Sequence, residues 1–165
     1  MKKPDDLKVG DPAPEFEAVA VGGDYGAGTA VALRDFRGSP VVLYFYPKDD
    51  TPGCTVQACS LRDSWSGLCS KAKIFGVSID SAQSHQKFID KYDLPFPILS
   101  DPEKKLVQSY RVWVEKSMYG KKYMGTERTT FVIGASGRVA AIFRRVKPEE
   151  HAGLLADALK KLATK

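Results

Sequence analysis

The chain is poor in the residues that build metal centres and covalent scaffolds, with two histidines and three cysteines among 165 residues. Three cysteines exclude a disulfide framework. His85 and His151 are distant in sequence from the cysteines and from each other, and Cys54 and Cys59 lack a second ligand pair, so no zinc site is expected. A Ser–His–acid hydrolase is equally unsupported. No stretch approaches the ~20 apolar residues of a membrane span. The N-terminal run through Lys8 has no apolar segment after its two lysines, so no signal peptide is expected. Basic residues cluster no further than pairs and are mixed with 20 acids, so the net charge of +5 reads as a solvated surface and not as a nucleic-acid site. What these absences leave is one globular domain over residues 1–165, 43% hydrophobic and 27% charged, in a reducing cytosol. There, a close cysteine pair is more often catalytic or metal-binding than structural.

The run 41–46, Val-Val-Leu-Tyr-Phe-Tyr, is continuously apolar or aromatic, as in a strand buried on both faces. It is followed by Pro47-Lys48-Asp49-Asp50-Thr51-Pro52-Gly53-Cys54, a turn that delivers a thiol to a helix start. A helix is expected from there, with Leu61, Trp65, Leu68 and Ala72 in one stripe. Phe16–Val21 and Val31–Leu33 read as a hairpin around a glycine-rich turn. Lys73–Ile79 reads as a strand, and Ser81 as the cap of a helix that carries Phe88, Ile89 and Tyr92 and ends at Pro95 and Pro97. A short helix is expected from Asp101 to Tyr110, and a second hairpin over Thr129–Ile133 and Val139–Phe143. A final helix opens at Pro148-Glu149-Glu150 and places Lys160, Lys161 and Lys165 toward its end. Residues 111–127 read as irregular, either a loop folded on the core or a contact surface. The alternation implies an α/β protein with a mixed central sheet flanked by helices and an N-terminal β-hairpin.

Cysteine reacts as thiolate, and a free thiol with a pKa of about 8.5 is mostly protonated at neutral pH. A first-turn position favours the anion, because helix N-termini carry unpaired N–H groups and the positive end of the dipole. Arg128 precedes a strand and is the candidate cation to face Cys54. The Thr51 hydroxyl both donates and accepts, which suits a peroxide, although a turn or cap role is as well supported. Pro47 either shields the thiol or ends the strand. Cys59 lies five residues after Cys54. In one helix their Cα atoms stand about 8.6 Å apart, beyond the roughly 4.4–6.8 Å of a disulfide. A bond between them therefore requires the helix to unwind. Taken alone, Cys59 is equally a small buried hydrophobe, and Cys69, eight residues after Leu61, reads as a core thiol.

Residues 47–59, with Thr-Pro-Gly-Cys-Thr and a C-x4-C spacing, closely resemble the active-site segment of peroxiredoxins of the PrxQ, or bacterioferritin comigratory protein, subfamily. Gly10–Phe16 resembles the family's N-terminal segment and Arg128–Gly134 its later strand, so the likeness spans about residues 8–146. The resemblance implies a thioredoxin-like fold and thiol-dependent reduction of hydrogen peroxide and organic hydroperoxides. It makes Cys54 the peroxidatic cysteine and Cys59 the resolving one, joined in an intramolecular disulfide. Thr51, Pro47 and Arg128 would shape the peroxide pocket. It also implies a thioredoxin-type dithiol reductant, a monomer, and no metal, haem or flavin cofactor. One residue departs from the pattern: Gln57 stands where glutamate is common, which removes a charge that orients an arginine. Two other readings stand beside this one. The first is a redox sensor exposing a partner surface at residues 111–127. The second is a disulfide oxidoreductase, which expects two cysteines separated by two residues and does not find them.

Overall fold

The computed structural model describes residues 6–163; the N-terminal run through Asp5 and the expected helix-end Lys165 lie outside them. Strand β1 (Glu17–Val21) turns back through a 3-10 turn into β2 (Thr29–Ala32). Then come β3 (Val41–Phe45), α1 (Pro52–Asp63), α2 (Trp65–Leu68), β4 (Lys73–Ser78), α3 (Ala82–Tyr92), β5 (Ile98–Ser100) and α4 (Lys105–Ser109). The chain closes with β6 (Trp113–Met118), β7 (Lys121–Thr126), β8 (Thr129–Ile133), β9 (Val139–Arg144) and α5 (His151–Ala163). Seven strands form one mixed sheet in the order β2-β1-β5-β4-β3-β8-β9, with β3 and β4 parallel and β3 and β8 antiparallel.

All five residues of β3 are buried, as its unbroken apolar run requires. Side chains alternate across the sheet. Val42 and Tyr44 therefore join the core under α1, α3 and α5, with Ala58, Leu61, Phe88, Leu155 and Leu159. Val41, Leu43 and Phe45 join the opposite core with Phe16, Leu106, Val107 and Tyr110. Helices thus cover both faces of a thioredoxin-like sheet. Ser81 caps α3 by accepting from the Ser84 N–H at 3.2 Å. No helix of the described residues is long and apolar enough to cross a membrane.

Several expectations are corrected. Residues 111–127 are not irregular: β6 and β7 pair antiparallel around Tyr119 and Gly120, both at positive φ (53° and 78°), the backbone of a tight two-residue hairpin turn. The stripe from Leu61 to Ala72 is not one helix, because the chain breaks at Ser64 and starts again as the single-turn α2. Leu61, Leu68 and Ala72 stay in one core across the break, but Cys69, next to Leu68 at the end of α2, is exposed and is not a core thiol. Helix α3 ends before the prolines, at Asp93 in the left-handed region (φ 51°). Strand β5 stands where the sequence pattern named no element. Helix α4 starts at Lys105, after Lys104 in the left-handed region. Helix α5 begins at His151; residues 148–150 form the turn that precedes it, so no acid lies in its first turn.

Candidate active site

Helix α1 starts as the sequence leads one to expect. Thr51 is extended at the N-cap (ψ 157°) and Pro52 takes the first helical position, where its missing N–H costs nothing. Cys54 falls in the first turn and is 2% exposed. The Thr51 side chain makes no cap bond, so it does not occupy the first-turn N–H groups. Its hydroxyl instead donates to the Lys48 carbonyl at 3.0 Å. With that proton committed, the oxygen's remaining capacity is to accept. Pro47 is half-buried at the exit of β3.

Arg128 comes from the head of the strand that neighbours β3. It lies between β7 and β8, and Thr129 pairs with Phe45 at the end of β3, so the topology returns residue 128 to the edge where α1 begins. One guanidinium nitrogen donates to the Cys54 sulfur at 3.4 Å and another to the Gln57 side-chain carbonyl at 2.6 Å. Gln57 is fully buried three residues after Cys54, on the same helix face. The amide therefore performs the orienting contact even without the missing charge. Gly53 explains the close approach: a Cβ there would stand 3.2 Å from the Arg128 guanidinium.

Cys59 is half-buried on the same uninterrupted α1, and both cysteines are free thiols. The structure thus brings Arg128 to Cys54, sets Thr51 at the N-cap of the same helix, places Pro47 at the head of the loop, and holds Cys59 about one and a half turns along α1. Sequence reasoning missed two neighbours. Lys116 on β6 is half-buried between exposed residues, with its stem laid across Gly125. Burial and the Arg128 charge lower its pKa, while Cys54 and Glu127 pull it upward. Below the thiol, the Tyr44 hydroxyl is buried without a hydrogen-bond partner, and burial pushes its pKa well above the usual phenol range. Only the hairpin register and the alternation along β3, both tertiary facts, bring these two side chains to the site.

His151 packs against Tyr44 with ring centroids 5.3 Å apart and shares a 2.8 Å hydrogen bond with the Thr130 hydroxyl. Burial, assisted by Arg128, lowers its pKa to about 4. Folded His151 is neutral where the unfolded residue, at 6.5, takes a proton. Stability from this group is therefore complete above pH ~6.5 and drains as pH falls toward 4, by roughly 2–3 kcal/mol. Thermal melts between pH 7.5 and 4.5 are expected to fall more steeply for the wild type than for His151→Gln, and equal slopes would rule the effect out.

Comparison with known proteins matches the AhpC/TSA family over residues 9–142. The chain is similar to Peroxiredoxin Bcp of Bacillus subtilis, 44% identical over 160 residues that cover 96% of this chain and 99% of that one. The putative peroxiredoxin bcp of Coxiella burnetii is 46% identical over 147 residues, covering 88% and 93% of the two chains. Among solved structures, a cysteine-to-serine variant of Xylella fastidiosa PrxQ superposes with a TM-score of 0.85 at 32% identity, covering 95% and 98%. A Xanthomonas campestris bacterioferritin comigratory protein, studied for alkyl peroxide reduction, superposes with a TM-score of 0.82 at 38% identity, covering 90% and 92%.

Proposed function

From the premise that this chain belongs to the AhpC/TSA family, in its PrxQ/BCP peroxiredoxins, and is a thiol peroxidase, we propose that Cys54 is the nucleophile and Cys59 the thiol that resolves it. The observation that carries this reading is the Arg128 guanidinium, which donates to the Cys54 sulfur at the start of α1. The Cys54 thiolate attacks one peroxide oxygen. An S–O bond forms as the O–O bond breaks, sulfur loses two electrons, and the departing oxide takes a proton to leave as water or alcohol. Thr51 accepts the hydrogen bond of the incoming hydroperoxide, because its own proton is held by Lys48. Arg128 faces the charge that develops between sulfur and the oxygens. Pro47 sets the path of the loop that carries Thr51.

Resolution demands a different shape. Cys59 must attack the sulfenate sulfur, form the S–S bond and expel the oxygen as water. With both residues on α1 the distance is too great, so the first turns of that helix unwind once per cycle. A thioredoxin-type dithiol then reduces the disulfide and takes its two electrons. Both thiols come from one chain, so a monomer in a reducing compartment such as the cytosol suffices for the cycle. The alternative of a sensor that exposes residues 111–127 gains little. In that hairpin Met118 is already 56% exposed and Tyr119 97% exposed while both thiols are free.

Replacing Cys59 tests the resolving role. Cys59→Ser is expected to complete one peroxide turnover at the wild-type rate. Steady-state turnover with thioredoxin, thioredoxin reductase and NADPH should then fall ~100-fold or more. Intact mass after one equivalent of peroxide should show two hydrogens lost in the wild type and one oxygen gained in the variant. Wild-type protein that gains oxygen and loses no hydrogens would remove Cys59 from the mechanism.

A further inference from the structure

The loop that carries Pro47 and Thr51 is fastened to α3 at two points, through consecutive aspartates. Asp49 is buried, and its carboxylate accepts from the Tyr46 hydroxyl at 2.5 Å and from the Ser84 hydroxyl at 2.7 Å. The His85 Nδ1 lies 2.7 Å from the same oxygen that Ser84 reaches. The other ring nitrogen of His85 stands 3.1 Å from the Leu99 carbonyl. A carbonyl only accepts, so that nitrogen carries a hydrogen, and a single proton is held between Nδ1 and Asp49. The Asp49 N–H donates to Asp80 at 2.8 Å, and Asp80 is itself held by the Ser78 hydroxyl at 2.7 Å. Asp50, at positive φ (57°), turns the other way. It accepts from Lys91 at 2.8 Å and from the Tyr92 hydroxyl at 2.7 Å, in the last turn of α3.

Asp49, Asp80 and His85 bring their ligating atoms within 4.8 Å of one another, close enough for a shared cation. Both oxygens of Asp49 and the Asp80 Oδ2, however, already take hydroxyl, imidazole and backbone partners, the pattern of a hydrogen-bonded network.

We propose that Asp49 and His85 are positioning residues: a buried clamp from α3 that holds the peroxide-binding loop in place and restrains the opening of α1. This rests on the reading that Cys54 and Cys59 form a disulfide through unwinding of that helix. Pro47 and Thr51 each lie two residues from Asp49, one on either side, so the clamp fixes both. Cys54 lies just past the clamped segment, so unwinding must hinge between Thr51 and Gly53, and the loop cannot follow the helix. The network is satisfied only when the loop is seated, since an unseated Asp49 leaves the buried His85 Nδ1 without its partner and takes the carboxylate from the buried Tyr46 hydroxyl. The clamp therefore acts on the two chemical steps in opposite directions. It speeds attack by holding the pocket formed, and it slows resolution by raising the cost of opening.

Rapid mixing of the reduced full-length chain with hydrogen peroxide, quenched for intact mass, reads both steps: sulfenate formation and then loss of water to the disulfide. His85→Gln is expected to slow the first step about tenfold and to speed the second about threefold. Asp50→Asn, which loosens only the exposed half of the clamp, should shift both steps in the same senses by less, and it keeps the test open if His85→Gln does not fold. A merely structural role lowers the folded fraction and slows both steps together; that result in either variant, or no change in either step, overturns the clamp. A wild type that forms no Cys54–Cys59 disulfide overturns the underlying reading instead.

Discussion

A Cys54→Ser chain should consume hydrogen peroxide no faster than buffer, a loss of ~10⁴-fold or more, because a serine hydroxyl at this position has no base to ionise it and cannot match a thiolate as nucleophile. The substitution removes one buried sulfur and leaves Arg128 in place, so the melting temperature should change by a few degrees at most. Peroxide consumption followed by absorbance or by a ferrous-dye assay, beside a thermal melt, separates loss of chemistry from loss of fold. Consumption at the wild-type rate would refute the assignment of the nucleophile. It would leave the fold and the family membership standing, since neither depends on that one atom.

Arg128→Met should lower the rate constant for the first peroxide turnover by about 10²–10³-fold, the cost of removing one preorganised donor from a site where charge develops. Two contacts go at once: the donor to the sulfur and the 2.6 Å bond that ties α1 to the β7–β8 junction through Gln57. Arg128→Lys should recover little, because an ammonium is a single point of charge and cannot reach Gln57 and Cys54 together. Single-turnover kinetics of the reduced protein measure this without dependence on the reductant. If the lysine variant matched wild type, the two-pronged geometry would be irrelevant and a bare positive charge would suffice.

Lys116 complicates the electrostatics of that substitution. Burial lowers its pKa and the Arg128 charge lowers it further, while Cys54 raises it. Removing Arg128 lifts that repulsion and leaves Lys116 as a hairpin cation that still interacts with Cys54. The residual activity of Arg128→Met should accordingly drop further when Lys116 is also replaced by methionine.

Much of this was local enough to be written in the sequence. An apolar β-run followed by Pro, Gly and Cys determines a thiol in the first turn of a helix, because proline fits that position alone in a helix and strand burial needs an unbroken apolar run. The Ser81 cap, the β8–β9 hairpin and the α/β alternation rest on equally short-range rules. The spacing of Cys54 and Cys59 likewise determined that they cannot bond within α1, since five residues of helix set the distance whatever surrounds them.

What the sequence did not contain was long-range. Residues 111–127 read as irregular because β6 and β7 alternate poorly and their turn begins with Tyr119, a residue rarely found at positive φ. Cys69 read as core because it adjoins Leu68 and lies eight residues after Leu61, yet at the end of α2 it is exposed. Arg128 lies 74 residues from Cys54, and only the β3–β8 register brings it to the sulfur. His85 lies 36 residues from Asp49, and only the packing of α3 beside β1 and β5 closes the network between them. The sequence alone placed a thiol in the first turn of a helix and a second thiol out of bonding reach of it; tertiary structure decided what stands around the first thiol, because contacts between distant segments follow from strand order and helix packing, which no local pattern encodes.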